Sequence, residues 1–191
     1  MDIKELILKR RTIRKFKQTP IPQQQLLSYI DAARLAPSAA NIQPLKYVAV
    51  NGKEMTDKLF PLLKWAGYLN GTYTPKKDEK PVAYIVICAD TSLRKSGYWE
   101  DAGAAAENII LSALCDDVGS CWLGSVDRTS VKKLLELDEN IEIISVIALG
   151  HPAESPKDVS VKDNDIKYFL EDSTLCVPKR SAKDVIIKTF E

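Results

Sequence analysis

The chain carries a single histidine, His151, and four scattered cysteines, Cys88, Cys115, Cys121 and Cys176, with no Cys-x-x-Cys pair. These absences exclude metal chelation by histidine and cysteine as the organising chemistry. Each thiol is expected to be a buried, structural small hydrophobe in a reducing compartment. His151 sits in the turn Gly150-His151-Pro152 after an apolar run, with no nucleophile in sequence to serve, and is assigned no chemistry. An excess of charge is also missing. The 27 Lys+Arg against 26 Asp+Glu leave a net +1, without the basic surplus that neutralises nucleic-acid phosphates, so nucleic acid is not an expected partner. No apolar run approaches membrane-spanning length. The charged start Met1-Asp2-Ile3-Lys4-Glu5 lacks the apolar core of a signal peptide, and a cytoplasmic location is expected. Repeats and low-complexity tracts are absent. What remains is 191 residues, 45% hydrophobic and 28% charged, the composition of one globular unit over 1–191.

Against this even background, Arg10-Arg11-Thr12-Ile13-Arg14-Lys15-Phe16 packs four cations and a hydroxyl into seven residues. In an extended segment side chains alternate, so Arg10, Thr12, Arg14 and Phe16 share one face while Arg11, Ile13 and Lys15 take the other. On a helix Thr12 would turn away from Arg10 and Arg14. Only the extended form makes a small phosphate pocket of two guanidinium forks and a hydroxyl, with a phenyl ring beside it. A solvated, charged helix end is the competing reading.

Apolar periodicity orders the rest. Ile3, Leu6 and Ile7 predict a short helix leading into the basic stretch, and a second helix follows Pro22 with Leu26, Leu27, Ile30 and Ala33. Pro37-Ser38-Ala39-Ala40-Asn41-Ile42-Gln43-Pro44 reads as a loop able to press its backbone on a flat ligand, or as a plain connection. Leu45–Val50, Val82–Cys88 and Ile141–Leu149 read as strands, the middle one buried on both faces. Residues 64–80, with Trp65, Tyr68 and Tyr73, form an irregular lid that either covers a ligand or anchors to the core. Trp99 to Asp117 is an alanine-rich buried helix, a domain centrepiece or a subunit interface. Gly119 to Ser125 is read as a short apolar turn whose glycines let backbone amides face a ligand. Asp127 or Thr129 can cap the next helix. A C-terminal arm occupies about 155–191. These elements alone also permit a doubly wound sheet.

Five segments, in order and spacing, resemble the FMN-dependent nitroreductase family: the basic stretch, the Pro37 to Pro44 loop, the helix Asp101 to Asn108, the Gly119 to Ser125 turn, and Leu149-Gly150-His151-Pro152-Ala153-Glu154. The resemblance covers nearly the whole chain. It implies an α+β, three-layer fold with a central, mostly antiparallel sheet enclosed by helices, in an intertwined homodimer holding FMN at the interface. It implies that Arg10 and Thr12 bind the FMN phosphate, that Arg11 is among the cofactor-binding residues, and that Arg14 lies near the flavin pyrimidine edge. Pro37, Ser38, Ala39 and Asn41 are the contacts given by the other subunit, and Lys179 and Arg180 close on the phosphate. Leu123, Gly124 and Ser125 are cofactor-binding, with the backbone amides of Gly124 and Ser125 facing flavin N5.

The implied activity is hydride transfer from NADH or NADPH through FMN to a small-molecule acceptor, nitroaromatic or quinone, by a ping-pong scheme. The flavin carries the chemistry, with no catalytic side chain and no metal. A specialised flavin enzyme acting on enones, halogenated phenols or a flavin fragment stays open, as does a non-turnover FMN-binding module. Thr12 stands where relatives usually have serine, which keeps the hydroxyl, and Leu45 stands where many have an aromatic, which reshapes the pocket floor.

Overall fold

The computed structural model describes residues 2–191. Its centre is a four-stranded antiparallel sheet of β1 (Leu45–Val50), β2 (Ala83–Asp90), β3 (Gly119–Leu123) and β4 (Ile141–Gly150), in the order β1-β2-β4-β3. Helices α1 (Ile3–Lys9), α2 (Gln23–Ala33) and α4 (Trp99–Cys115) lie with one face, and α3 (Lys53–Leu59) and α5 (Arg128–Leu134) with the other. This is the expected α+β architecture with a sheet enclosed by helices, and the antiparallel pairing excludes the doubly wound alternative.

The period-2 alternation of β2 builds both layers. Ala83, Ile85, Ile87 and Ala89 enter the cluster made with α2 and α4, while Tyr84, Val86 and Cys88 enter the cluster made with α3 and α5. Both sets are fully buried, as the near-continuous apolar run requires. On β4 the alternation slips: Cys88 faces Ile143 while Ile87 faces Ser145. The extra residue puts Ile143 and Val146, three apart, on the same face. Helix α4 buries Ala102, Ala105, Ala106 and Ala113, small side chains that let it approach α2 and the sheet closely.

The basic stretch is extended but does not alternate strictly. Ile13 and Phe16 both enter the α3–α5 cluster, and Phe16 is fully buried rather than standing beside a pocket. Two glycines make room for them. A Cβ on Gly119 would lie 2.7 Å from the Ile13 side chain, and one on Gly150 would lie 2.8 Å from that of Phe16. Gly119 to Leu123 is accordingly the edge strand β3 and not a turn; only Gly124 and Ser125 leave the sheet.

The C-terminal arm adds a second sheet of β5 (Lys157–Ser160), β7 (Thr174–Lys179) and β6 (Phe169–Glu171), then the short α6 (Ala182–Val185). The residues read as a lid are anchored against this arm. Trp65 and Tyr73 are buried, Ala66 and Tyr73 pack on Leu175, and Tyr68 lies 4.9 Å from the Tyr168 ring. Cys88, Cys121 and Cys176 are buried free thiols, but Cys115 is exposed because it falls in the last turn of α4, away from the sheet. No helix of the described residues is long and apolar enough to cross a membrane.

The Gly150–Phe16 contact is testable by overpacking. Gly150→Ala is expected to lower stability by about 1–3 kcal/mol, the usual cost of forcing an extra methyl into a packed core, measured as a reduced urea midpoint with an unchanged slope.

Candidate functional site

The basic stretch is held by backbone bonds along its length. Ile13 N donates to Ser120 O of β3 at 2.8 Å, Phe16 N to Glu79 O at 3.0 Å, Lys17 N to His151 O at 2.8 Å, and Lys15 O accepts from Ala153 N at 2.9 Å. The segment thus runs from the β3 edge to the turn after β4. Glu154, three residues beyond that turn's histidine, supplies the fastening. Its carboxylate accepts from the backbone N–H groups of Arg14 and Lys15 and from the Tyr73 hydroxyl. Burial and the Glu154 bond both raise the Tyr73 pKa.

These bonds deliver the side chains to different places. Arg10 and Thr12 line a cavity of about 500 Å³ with Ser120, Glu107 and Trp122. Arg10 Nε lies 3.9 Å from Glu107 Oε1, a loose pair, and its guanidinium donates no hydrogen bond among the described residues. Arg11 turns away. It donates to the carbonyls of Leu8 and Arg10 at 2.7 Å each and pairs with Asp158 of β5, a bond that holds the Asp158 carboxyl below the ordinary range, with Lys179 adding to it. Its fork is spent on fastening the arm instead of lining the cavity.

Arg14 is the unusual member. Its Nε and Nη1 are buried without a hydrogen-bond partner, and its guanidinium lies 4.8 Å from the Tyr168 ring centroid. A desolvated guanidinium with donors unsatisfied is costly, and the aromatic face offsets only part of that cost. Cys121 lies close enough to feel it. Burial pushes that thiol up to about 12, while Arg14 pulls it down and Glu154 pushes it further up.

The Pro37 to Pro44 loop is built on a buried acid that its own sequence does not signal. Asp101, in the first turn of α4, accepts from Ser38 Oγ at 2.6 Å and from Ala39 N at 3.2 Å. Ala40, Asn41 and Gln43 all take left-handed φ of 52–54°, sparsely populated for residues other than glycine and held here by the Ser38–Asp101 bonds and by Gln43 N donating to Ser38 Oγ at 2.9 Å. Pro37, Ala39 and Asn41 are exposed. Pro37 and Ser38 line a cavity of about 210 Å³ with Asp101 and Tyr47, separate from the Arg10–Thr12 cavity. Leu123 is buried, whereas Gly124 and Ser125 are exposed, and nothing lies within 4 Å of where a Gly124 Cβ would be. Lys179 and Arg180 are exposed at the end of β7, with Arg180 Nη1 donating to Asn164 Oδ1 at 3.1 Å. Neither lines the Arg10–Thr12 cavity.

The sequence model of the nitroreductase family matches residues 7–151. The chain belongs to this family. The matched residues take in the basic stretch, the Pro37 loop, α4, β3 and the whole of β4. Lys179 and Arg180 lie beyond them. An NADH dehydrogenase of Thermus thermophilus is 44% identical over an alignment of 198 residues, covering 81% of this chain and 88% of that protein. An NADPH-flavin oxidoreductase of Vibrio harveyi is 29% identical over 170 residues, covering 80% and 67%. A solved structure from Desulfovibrio desulfuricans, described as in complex with FMN, matches with a TM-score of 0.68 at 22% identity over 85% of this chain and 93% of that one, a likeness of fold.

This member's residues fit the FMN expected of the family. The orphaned Nε and Nη1 of Arg14 offer donors in a dry setting, the Arg10 guanidinium and Thr12 open into a cavity, and nothing lies within 4 Å of where a Gly124 Cβ would be. Glu154, Asp101 and Tyr168 were given no role from sequence, and of the two readings of Tyr73 the structure bears out anchoring. Glu154 belongs to a quoted motif but its partners are Arg14, Lys15 and Tyr73, and Asp101 meets Ser38 across 63 positions.

The raised Tyr73 pKa fixes a pH dependence. The folded state binds the phenolic proton more tightly than the unfolded chain, so this contribution is fully present below the ordinary value of 10.0 and is lost as pH rises above it. In Tyr73→Phe the fall of unfolding free energy above pH 10 is expected to be shallower than in the natural protein, measured by urea unfolding across that range.

Proposed function

We propose that the chain is an FMN-dependent NAD(P)H oxidoreductase. It takes hydride from NADH or NADPH and, after the oxidised nicotinamide leaves, passes electrons to nitroaromatic or quinone acceptors in the same pocket. The observation that carries this reading is Arg14, whose Nε and Nη1 are buried without hydrogen-bond partners, on a stretch whose neighbours Arg10 and Thr12 open into a cavity. The names of the Vibrio harveyi relative and the FMN-bound Desulfovibrio structure support it. When bound, FMN supplies the redox chemistry at N5, so no side chain is needed as acid or base.

The residues of the chain bind and tune. Arg10 and Thr12 donate to the phosphate, with charge-assisted bonds that favour a dianion over a neutral group. Arg14 places a fixed positive charge by the pyrimidine edge, where it stabilises negative charge on the ring. Leu123, Gly124 and Ser125 present main chain to the ring edge. Arg11 acts at one remove, tying through Asp158 the arm that carries Lys179 and Arg180, which close over the phosphate.

Pro37, Ser38, Ala39 and Asn41 come from a second copy. Their loop lines a cavity apart from Arg10 and Thr12, and exposed Ile3, Ile7, Leu8, Trp99 and Trp122 on the α1–α4 side supply apolar area for such an interface. The whole of 1–191 serves as one FMN-binding unit in each protomer. A cytoplasmic site of action is part of the proposal, in keeping with four unpaired cysteines.

Purified protein loaded with FMN is expected to be yellow and to bleach within seconds on anaerobic mixing with NADH or NADPH in a stopped-flow instrument, with colour returning on addition of a quinone. A bound flavin that stays oxidised with both nicotinamides contradicts the reductase reading. Sedimentation equilibrium of the loaded protein is expected to give twice the 21.3 kDa chain mass; a flavin-loaded monomer contradicts the shared site.

A further inference from the structure

Arg128 makes three main-chain contacts that neither the fold nor the helix it begins requires. Its Nε donates to Ile143 O at 3.0 Å, and its Nη2 donates to Ile144 O at 2.9 Å and to Gly124 O at 3.1 Å. In a regular strand successive carbonyls point to opposite edges. Here Ile143 and Ile144 lie at the register slip between Cys88/Ile143 and Ile87/Ser145, and the extra residue turns two neighbouring carbonyls to the same guanidinium. The third carbonyl belongs to Gly124, where the chain leaves β3. One planar fork therefore joins the irregular point of β4 to the end of β3, a task that a lysine's single ammonium cannot perform with the same geometry.

The consequence lies on the other side of the Gly124–Ser125 peptide. No peptide of the described residues is cis, so the Ser125 N–H points opposite to the Gly124 carbonyl in one rigid plane. With the carbonyl locked on Arg128, the N–H is aimed away from it. The next carbonyl is locked too, since Lys64 N donates to Ser125 O at 3.0 Å, and Asp127 N donates to Leu62 O at 2.9 Å. The start of α5 is fixed by Asp127 Oδ1 accepting from Ser130 N at 3.1 Å. The Gly124 and Ser125 carbonyls are both taken, yet the Ser125 N–H donates to no partner among the described residues, and nothing lies within 4 Å of where a Gly124 Cβ would be.

We propose that Arg128 is a positioning residue whose clamp on the Gly124 carbonyl aims the Ser125 N–H at N5 of the bound flavin. This rests on the FMN reading above. It assigns the orientation of that donor to one side chain outside the cofactor contacts, and it gives the β4 irregularity a role in the site.

FMN labelled with ¹⁵N, bound to the natural protein, to Arg128→Lys and to Arg128→Gln, tests this by NMR. A hydrogen bond to N5 moves its resonance upfield. The natural protein is expected to show that displacement, and both variants to lose most of it while the N1 resonance stays in place, FMN remains bound and hydride transfer from NAD(P)H slows by up to about 10²-fold, as for a misplaced contact. An N5 resonance at the natural position in both variants overturns the proposal. If neither variant folds, the Ser125 amide proton of the natural protein decides: it is expected to move downfield when FMN is added, and an unmoved amide with flavin bound overturns it. Failure of the FMN reading itself looks different, since no flavin then stays with the natural protein.

Discussion

The rest of the site depends on the Glu154 carboxylate. It sits just past β4 and receives three donors from two distant parts of the chain, the backbone N–H groups of Arg14 and Lys15 and the hydroxyl of Tyr73. Hydrogen bonds to an ionised acceptor are each worth about 1.5–3 kcal/mol, and here they fix the direction of a segment that belongs to no strand. With Arg14 N–H turned to Glu154, the Arg14 side chain is carried to Cys121 and Tyr168. Tyr73, held by the other oxygen, draws residues 64–80 onto the C-terminal arm. One carboxylate thus sets the basic stretch, the lid and the arm relative to one another.

The two faces of the sheet divide the work. The face with α2 and α4 carries the larger apolar cluster, and at its edge Arg10, Thr12, Ser120 and Glu107 meet in a cavity. The opposite face buries Phe16 and Ile13 under two glycines, so the cations between them cannot slide. Core residues and site residues alternate in one short segment, and packing of the first positions the second. Arg128 does the same at the far end of β3, where a strand irregularity rather than a buried ring provides the anchor.

Much of this was legible in the chain. Strands β1, β2 and β4 follow from mainly apolar stretches of strand length, α4 from its alanine spacing, and the extended basic stretch from the need to converge Arg10, Thr12 and Arg14, of which only the first two line the cavity. Phe16 was misplaced because alternation was carried across a segment whose register is set by Glu154 and the glycines instead of by a ladder. Gly119 to Leu123 looked like a turn because its glycines suggested openness, whereas Gly119 is small to admit Ile13. Alternation already set Arg11 on the face opposite Arg10; what it could not supply is the partner there, Asp158 of β5. Asp101 and Arg128 have partners far away in sequence or on main-chain carbonyls, which leave no residue pattern to read.

In the proposed function the basic stretch recognises a phosphoryl group attached to a flavin. Equilibrium titration of apoprotein with FMN and with riboflavin, which differ only in that group, tests it most directly. With one or more charge-assisted bonds at about 1.5–3 kcal/mol each, FMN is predicted to bind at least about tenfold more tightly than riboflavin, and Arg10→Ala to erase most of the difference. Equal affinity for the two flavins in the natural protein would rule out recognition of the phosphoryl group.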